Sequence, residues 1–264
     1  MRQNNIFLML LKVFFFSSIL VATSAVRAEL KVVTTIKPLH SLIANVMDGV
    51  GEPALIIEGS TSPHSFTLKP SHAKLLEEAD IIFWVGESIE TFMERPLESI
   101  VKNAEVVEFM EVESINKLKF REESIFEDHD DHDDHDDHDE HDDHDDHSGH
   151  DDHGHAHGEF DAHIWLDPMN AKEMVHEIAH ELGDLDPANK NKYEANAQAT
   201  IQALDQLIND IEKGINKDAK FVVFHDAYQY FEERFETRAA GALTLNTDVL
   251  PGAKQIADIQ DVIK

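Results

Sequence analysis

Short segments rich in β-branched and aromatic residues recur along the chain and alternate with longer amphipathic stretches. The most apolar is Ile81-Ile82-Phe83-Trp84-Val85, and comparable segments lie at 31–36, 54–57, 105–109 and 221–224. Strands that are apolar on both faces are typical of a parallel sheet covered by helices on both sides. The alternation therefore predicts an α/β fold built from strand–helix units.

The stretches between these segments carry apolar residues at helical spacing, and the longest predicted helices are at 170–185 and 187–215. A second strand–helix succession begins at 221. We therefore divide the chain after its leader into an N-terminal lobe at 29–167, a helical connector region at 168–215, and the start of a C-terminal lobe at 216–264. Because 216–264 is too short to match the first lobe, we expect this lobe to be incomplete, with further strands beyond Lys264.

The segment 124–159 interrupts this regularity with a near-perfect repeat of His-Asp-Asp. It has no apolar face with which to form a core, so we predict a disordered loop within the N-terminal lobe. Imidazoles are borderline-soft metal ligands, and without a rigid frame each site should be weak. We interpret the loop as an auxiliary collector or sensor of zinc, with a solvated acidic spacer as the alternative. Its histidines are His129, His132, His135, His138, His141, His144, His147, His150, His153, His155 and His157.

Residues 1–28 have the features of an export signal. A basic start is followed by an apolar run, and Val26-Arg27-Ala28 fits a signal-peptidase site. The chain contains no cysteine, which excludes disulfides and a lipid anchor on a cysteine thiol. We therefore expect a periplasmic protein without a membrane anchor, and we expect it to be a monomer.

The formal net charge of −31 argues against nucleic acid as a partner, because phosphate binding requires a basic surface. Residues 128–158 contribute about half of that charge, with 14 Asp and one Glu and no Lys or Arg. The rest of the chain is acidic to an ordinary degree.

Three histidines lie beside a predicted strand end or turn: His64, His163 and His225. In open parallel sheets the loops at the carboxyl ends of the strands gather around the ligand. Three neutral imidazoles at one place suit Zn²⁺, leaving one position for a carboxylate or water, whereas manganese or iron(II) favours more oxygen ligands. From spacing alone, a single histidine in such a loop is more often polar surface than a metal ligand.

The sequences around these histidines resemble the zinc-specific substrate-binding proteins of ABC importers, the ZnuA type. The matching segments are Thr35-Ile36-Lys37-Pro38-Leu39-His40, Pro63-His64-Ser65-Phe66-Thr67-Leu68-Lys69-Pro70-Ser71, His163-Ile164-Trp165-Leu166-Asp167-Pro168 and Phe224-His225-Asp226-Ala227-Tyr228-Gln229-Tyr230-Phe231. They occur in the family's order, and an acidic His-rich loop precedes the third.

The resemblance implies two βα lobes with parallel sheets joined by a long helix, and a metal cleft between the lobes. The family's cleft histidines fall on His64, His163 and His225. The implied cargo is Zn²⁺, and the implied partner is an inner-membrane ABC permease with its cytoplasmic ATPase. The alternative is a periplasmic zinc buffer or metallochaperone that acts mainly through the His-rich loop.

Two features of the family pattern are absent from this sequence. Some members place an acidic ligand directly before the first histidine, where this chain has Pro63. Others take an acidic ligand from a stretch that would follow Lys264. The fourth zinc ligand is therefore unassigned, with water as one candidate.

The segment His176-Glu177-Ile178-Ala179-His180 matches the H-E-x-x-H pattern of zinc proteases. Helical spacing, however, places both histidines opposite the apolar side of the predicted helix, whereas a protease would bury them in a cleft. We therefore interpret the segment as a solvated helix face and expect no enzymatic activity.

Overall fold

The computed structural model describes residues 29–121, 125–126, 159–244 and 251–262. The predicted signal peptide 1–28 lies outside the described residues. So does nearly all of the predicted loop 124–159, including its eleven histidines.

The first half of the chain forms a parallel sheet in the order β2-β1-β3-β4. Its strands are β1 (Val32–Thr34), β2 (Ala54–Leu55), β3 (Ile81–Trp84) and β4 (Glu105–Glu108). All three strand pairs are parallel. The α/β prediction is confirmed, and the central strands are the most apolar ones.

Three helices connect these strands: α1 (Lys37–Val46), α2 (Pro70–Glu78) and α3 (Glu94–Ser99). Two long helices follow, α4 (Pro168–Leu185) and α5 (Lys190–Gly214). They pack along each other and against α1. The Asp167 side chain caps α4 by accepting a hydrogen bond from the Met169 N–H at 2.8 Å.

The second half of the chain contains β5 (Val223–His225), α6 (Gln229–Phe235), β6 (Ala242–Thr244) and α7 (Ala253–Val262). β5 and β6 pair in parallel. The strand predicted at 221–224 begins two residues later than predicted, because its pairing with β6 starts only at Val223. Phe221 still accepts a hydrogen bond from the Ala240 N–H at 2.8 Å.

Burial is concentrated around the first sheet. Ile81, Ile82 and Phe83 are fully buried and belong to a core that also includes residues of α1, α4 and α5. On α5 only the first half of the apolar stripe is buried, since Leu207 is 46% exposed. Within the residues that the structure describes, no helix combines the length and apolar character needed to cross a bilayer.

Candidate metal centre

His64 lies in a short 3₁₀ turn, Pro63–Ser65, in the connection between β2 and α2. The Ser62 hydroxyl accepts a hydrogen bond from the His64 N–H at 3.3 Å, which fixes the start of the turn. Pro63 suits the first position of such a turn because its φ is already restricted and it has no N–H to satisfy. The turn therefore presents the imidazole of His64 from a short, locally braced segment.

His163 lies just before the 3₁₀ turn Ile164–Leu166 that leads into α4, and it is only 6% exposed. One Asp161 carboxylate oxygen accepts from the His163 backbone N–H at 2.9 Å and from its ring Nδ1 at 2.6 Å. Because a carboxylate accepts, the ring proton is assigned to Nδ1, which leaves the Nε2 lone pair for a metal. A carboxylate behind the imidazole also makes it a more basic ligand.

The Asp161 segment is itself held by the second half of the chain. The Tyr230 hydroxyl on α6 donates to the Asp161 carbonyl at 2.6 Å and accepts from the Leu118 N–H at 3.0 Å. Tyr230 is 1% exposed. The orientation of His163 therefore depends on a buried chain of hydrogen bonds that begins on α6.

His225 is the last residue of β5, and its Nε2 lies 3.4 Å from Nε2 of His163. Burial, with smaller contributions from the neighbouring His163 and His64, lowers the pKa of His225 to about 4. The ring is therefore neutral, and able to bind metal, well below pH 7. Its Nδ1 is buried without a hydrogen-bond partner among the described residues.

The three imidazoles form one cluster, in which a nitrogen from each lies within 4.8 Å of the others. Ring centroids are separated by 5.7 Å for His64 and His163, 5.4 Å for His64 and His225, and 5.0 Å for His163 and His225. It is the only such group of three or more His, Asp or Glu side chains in the described part of the chain. Three neutral nitrogen donors converging on one point are the donor set of a tetrahedral Zn²⁺ site with one open position.

The carboxylates nearest the cluster are already engaged elsewhere. Asp161 is bonded to the far side of the His163 ring, and Asp226 accepts from the Arg121 guanidinium at 3.1 Å. Burial raises the pKa of Asp226 to about 6, while Arg121 acts in the opposite direction. No protein side chain of the described residues therefore completes the set of four ligands.

Arg121 links the segment before the His-rich loop to the second half. Besides Asp226 it contacts Glu232 at 2.7 Å, and its guanidinium lies 4.1 Å from the centroid of the Phe126 ring. Both carboxylates are buried, at 6% and 3% side-chain exposure. A further ion pair, bidentate from Arg234 on α6 to Asp167 at 2.8 Å, joins the second half to the start of α4.

The structure thus brings His64, His163 and His225 together, as the sequence analysis expected of a metal site. Sequence reasoning did not identify Asp161, although an Asp two residues before a candidate ligand histidine is a usable signal. Nor did it identify Arg121, whose partners are 105 and 111 residues away along the chain and leave no local pattern. The histidines of the H-E-x-x-H segment are exposed on α4, as predicted.

A sequence model of the family described as "Zinc-uptake complex component A periplasmic", ZnuA, matches residues 32–264. The chain belongs to the ZnuA family. Its similarity to the high-affinity zinc uptake system protein ZnuA of Brucella abortus (strain 2308) is 49% identity over 243 residues, 88% of this chain and 73% of that protein. The ZnuA family is described as periplasmic, and membership in it makes the chain a zinc-uptake protein of the solute-binding type, with Zn²⁺ as its cargo.

Two solved structures have the same fold. The crystal structure of ZnuA superposes with a TM-score of 0.66 at 21% identity, covering 88% of this chain and 77% of that one. The Zn(II)-bound ZnuA-like domain of Streptococcus pneumoniae AdcA superposes with a TM-score of 0.62 at 21% identity, covering 88% of this chain and 74% of that one. At this level of identity the two structures establish the α/β fold and nothing about individual residues.

Proposed function

We propose that the chain captures Zn²⁺ with His64, His163 and His225 in a cleft between two lobes and delivers it to an ABC permease. The observation that carries this proposal is the convergence of three imidazoles from segments far apart in sequence. Chance packing rarely brings three imidazoles to one point, because removing polar rings from water costs free energy. For His225 part of that cost is visible, since its buried Nδ1 has no hydrogen-bond partner among the described residues.

The delivery step needs only that Zn²⁺ bind one arrangement of the two halves better than the others. His163 belongs to the segment entering α4, while His225 belongs to β5, so a shared ion would tie these elements together. A permease that recognises the tied arrangement would then distinguish loaded from empty protein. We further propose that residues 1–28 direct export and are removed, and that the ATPase of the importer supplies the energy, since no nucleotide-binding motif occurs in this chain.

The test of the cleft is a competitive zinc titration against a chromogenic chelator. The parent should be a chain without residues 128–158, so that loop histidines do not contribute. We expect one tight site, weakened at least about 100-fold by His64→Ala or His225→Ala because each removes a direct ligand. His40→Gln changes a histidine outside the cluster and should leave the tight site intact.

The same titration separates the cleft from the alternative function. We propose that the His/Asp-rich segment collects zinc weakly and passes it to the cleft, an idea that rests on its sequence alone. If deleting 128–158 abolishes nearly all binding and His64→Ala changes nothing further, the chain is a buffer that acts through that segment. If the tight site survives deletion, the importer function stands and the segment is auxiliary.

A further inference from the structure

The H-E-x-x-H segment lies on α4 and is not used by the cleft. His176 and His180 are both exposed, whereas the opposite side of the same turns, including Met174, Val175 and Ile178, is fully buried in the core. The apolar side of α4 therefore fixes the helix against the sheet and leaves the two imidazoles outward. The two histidine side chains can therefore change rotamer without disturbing the core.

The spacing of the two histidines brings their rings onto the same helix face. Residues four apart are separated by one turn, about 6 Å along the axis, and their side chains are neighbours. Two imidazoles at this spacing can each place one nitrogen on the same ion, which is the geometric basis of the H-E-x-x-H metal motif. His180 has only a 3.9 Å approach to Asp184, and His176 makes no hydrogen bond or ion pair with any described residue.

The surroundings of the pair suit a cation. His176 and His180 line a groove between α4 and α5 whose walls also include Ala179, Ala197 and Glu194. Glu194 lines this groove from α5 without an ion pair among the described residues, so its carboxylate contributes a negative charge that attracts a cation. Lys190, the one cation of the groove lining, is paired with Asp184 at 3.1 Å, which reduces its repulsion of a metal ion.

We propose that His176 and His180 form a second, outer site for borderline divalent ions such as Zn²⁺ and Cu²⁺, with the Glu194 carboxylate adding negative charge to the same groove. His176 follows Asp167, the cap of α4, by nine residues, which is about 13 Å along the axis. The outer site therefore shares no ligand with the cleft. With two exposed imidazoles, it is weaker than a site with three converging imidazoles, and it exchanges faster. It offers a metal-docking point on the outside of the helix pair.

The test uses the full chain and a local readout, because loop histidines also bind metal. Cu²⁺–iminodiacetate leaves adjacent coordination positions open and broadens nuclear magnetic resonance signals near the bound ion. In the parent protein we expect the backbone amide signals of Ala179 and Ala197 to broaden as the probe is added. His176→Ala or His180→Ala should raise the probe concentration needed at these two amides at least about tenfold.

A matched variant restores a pair of histidines four residues apart, one turn further along α4. In His176→Ala/Asp184→His/Lys190→Gln a new imidazole stands four residues after His180, and Lys190→Gln removes the cation that would otherwise be left unpaired beside the new pair, so broadening at Ala179 and Ala197 should return. The lost Asp184–Lys190 ion pair is exposed and has little effect on stability. The proposal is overturned if these amides stay sharp while other histidines are saturated. It is equally overturned if broadening is the same in the parent and both single variants, or if the restored spacing has no effect.

Discussion

The two parallel sheets that supply the clustered histidines are buried to very different degrees. In the first, every residue of β1 and β3 is 5% exposed or less, and the surrounding core spans helices from most of the chain. In the second, Phe224 at the middle of β5 is 62% exposed. The buried apolar cluster beside this sheet consists of Phe126, Ala239 and Ala242.

The difference shows that the two halves hold their histidines by different forces. His163 lies against a large apolar core and is oriented by Asp161. His225 lies on a strand with little apolar burial, next to the ion pairs that Arg121 makes with Asp226 and Glu232. Because local stability follows buried apolar contact, we infer that the β5–β6 region opens more readily than the first sheet. A metal ion bound by all three histidines would then stabilise the second region most.

The largest expected effect is the protection of the second sheet by zinc. Any opening that separates His225 from the other imidazoles must release the ion, so zinc at about 1,000 times its dissociation constant should oppose it by about 4 kcal/mol. Amide hydrogen exchange, measured with chelator-buffered zinc, should slow at β5 and β6 much more than at β3. Mg²⁺ serves as the control ion. Equal slowing in both sheets would contradict the inferred difference in local stability.

The next effect comes from removing the buried cation that serves the second half. Arg121→Met leaves Asp226 and Glu232 buried without their partner, which should destabilise the β5–β6 region by about 3 kcal/mol. Since the pKa of Asp226 is already raised to about 6, protonation relieves part of the penalty, and the loss should be smaller at pH 5 than at pH 8.

Exchange rates of the β5 and β6 amides measure the Arg121 effect directly. Lys217→Met is the matched control, because it removes an exposed ion pair with Glu236 in the same half and should change stability by less than about 0.5 kcal/mol. If Arg121→Met speeds amide exchange in β1 and β3 as much as in β5 and β6, then Arg121 stabilises the whole molecule and not the second half alone.

A smaller effect is expected from the carboxylate behind His163. Asp161→Asn keeps the side chain's size but removes its charge, so the imidazole becomes a poorer ligand and zinc affinity should fall about 10- to 100-fold. The competitive zinc titration measures this change. Asp80→Asn is the control, because Asp80 also accepts a backbone N–H, from Lys31 at 2.8 Å, but lies outside the site. Unchanged affinity in Asp161→Asn would mean that packing alone orients His163.

The bounds of β3, the most buried strand, were predicted from sequence more closely than those of the exposed strand β5, and burial explains why. β3 is apolar at every position because both faces of the strand are covered, so composition alone located it at 81–85 against the observed Ile81–Trp84. β5 begins within an equally apolar segment, but Phe224 is exposed and the strand pairs with β6 only from Val223 to His225. Composition therefore located the strand but placed its start two residues early.

The same distinction applies to the site. Each histidine of the cluster stands in a short local segment with turn or strand-end character. That character alone did not separate a metal ligand from polar surface, and the resemblance of the surrounding sequences to the ZnuA type is what pointed to these three histidines. The contacts that hold the cluster, from Tyr230 to Asp161 and from Arg121 to Asp226, join residues 69 and 105 positions apart. Such long-range contacts depend on how whole helices and strands pack. The residues next to each partner in the sequence therefore do not predict them.

The smallest expected effect concerns a buried acid in the first half. Glu90 is fully buried and accepts from the N–H groups of Val85 and Gly86 at 2.7 and 3.2 Å. Burial raises its pKa to about 7. The folded protein therefore holds a proton that the unfolded chain has released, so stability falls as pH rises from about 4.5 to 7 and then levels off. This pH dependence of stability should be measurable in the first sheet and absent from the second.

Glu90→Gln should remove that dependence by replacing the buried acid with a neutral amide of the same shape. At pH 5 the parent acid is protonated and neutral like the amide, so we expect no gain in stability there. At pH 8 we expect the variant to be about 1 kcal/mol more stable, a gain limited because the amide accepts weaker hydrogen bonds than a carboxylate. Exchange of the β3 amides at the two pH values measures the difference. A gain at pH 8 that appears in β5 and β6 as well would show that the two halves unfold as one unit. That result would contradict the inference that the first sheet is stabilised by its own apolar core while the second depends on its ion pairs.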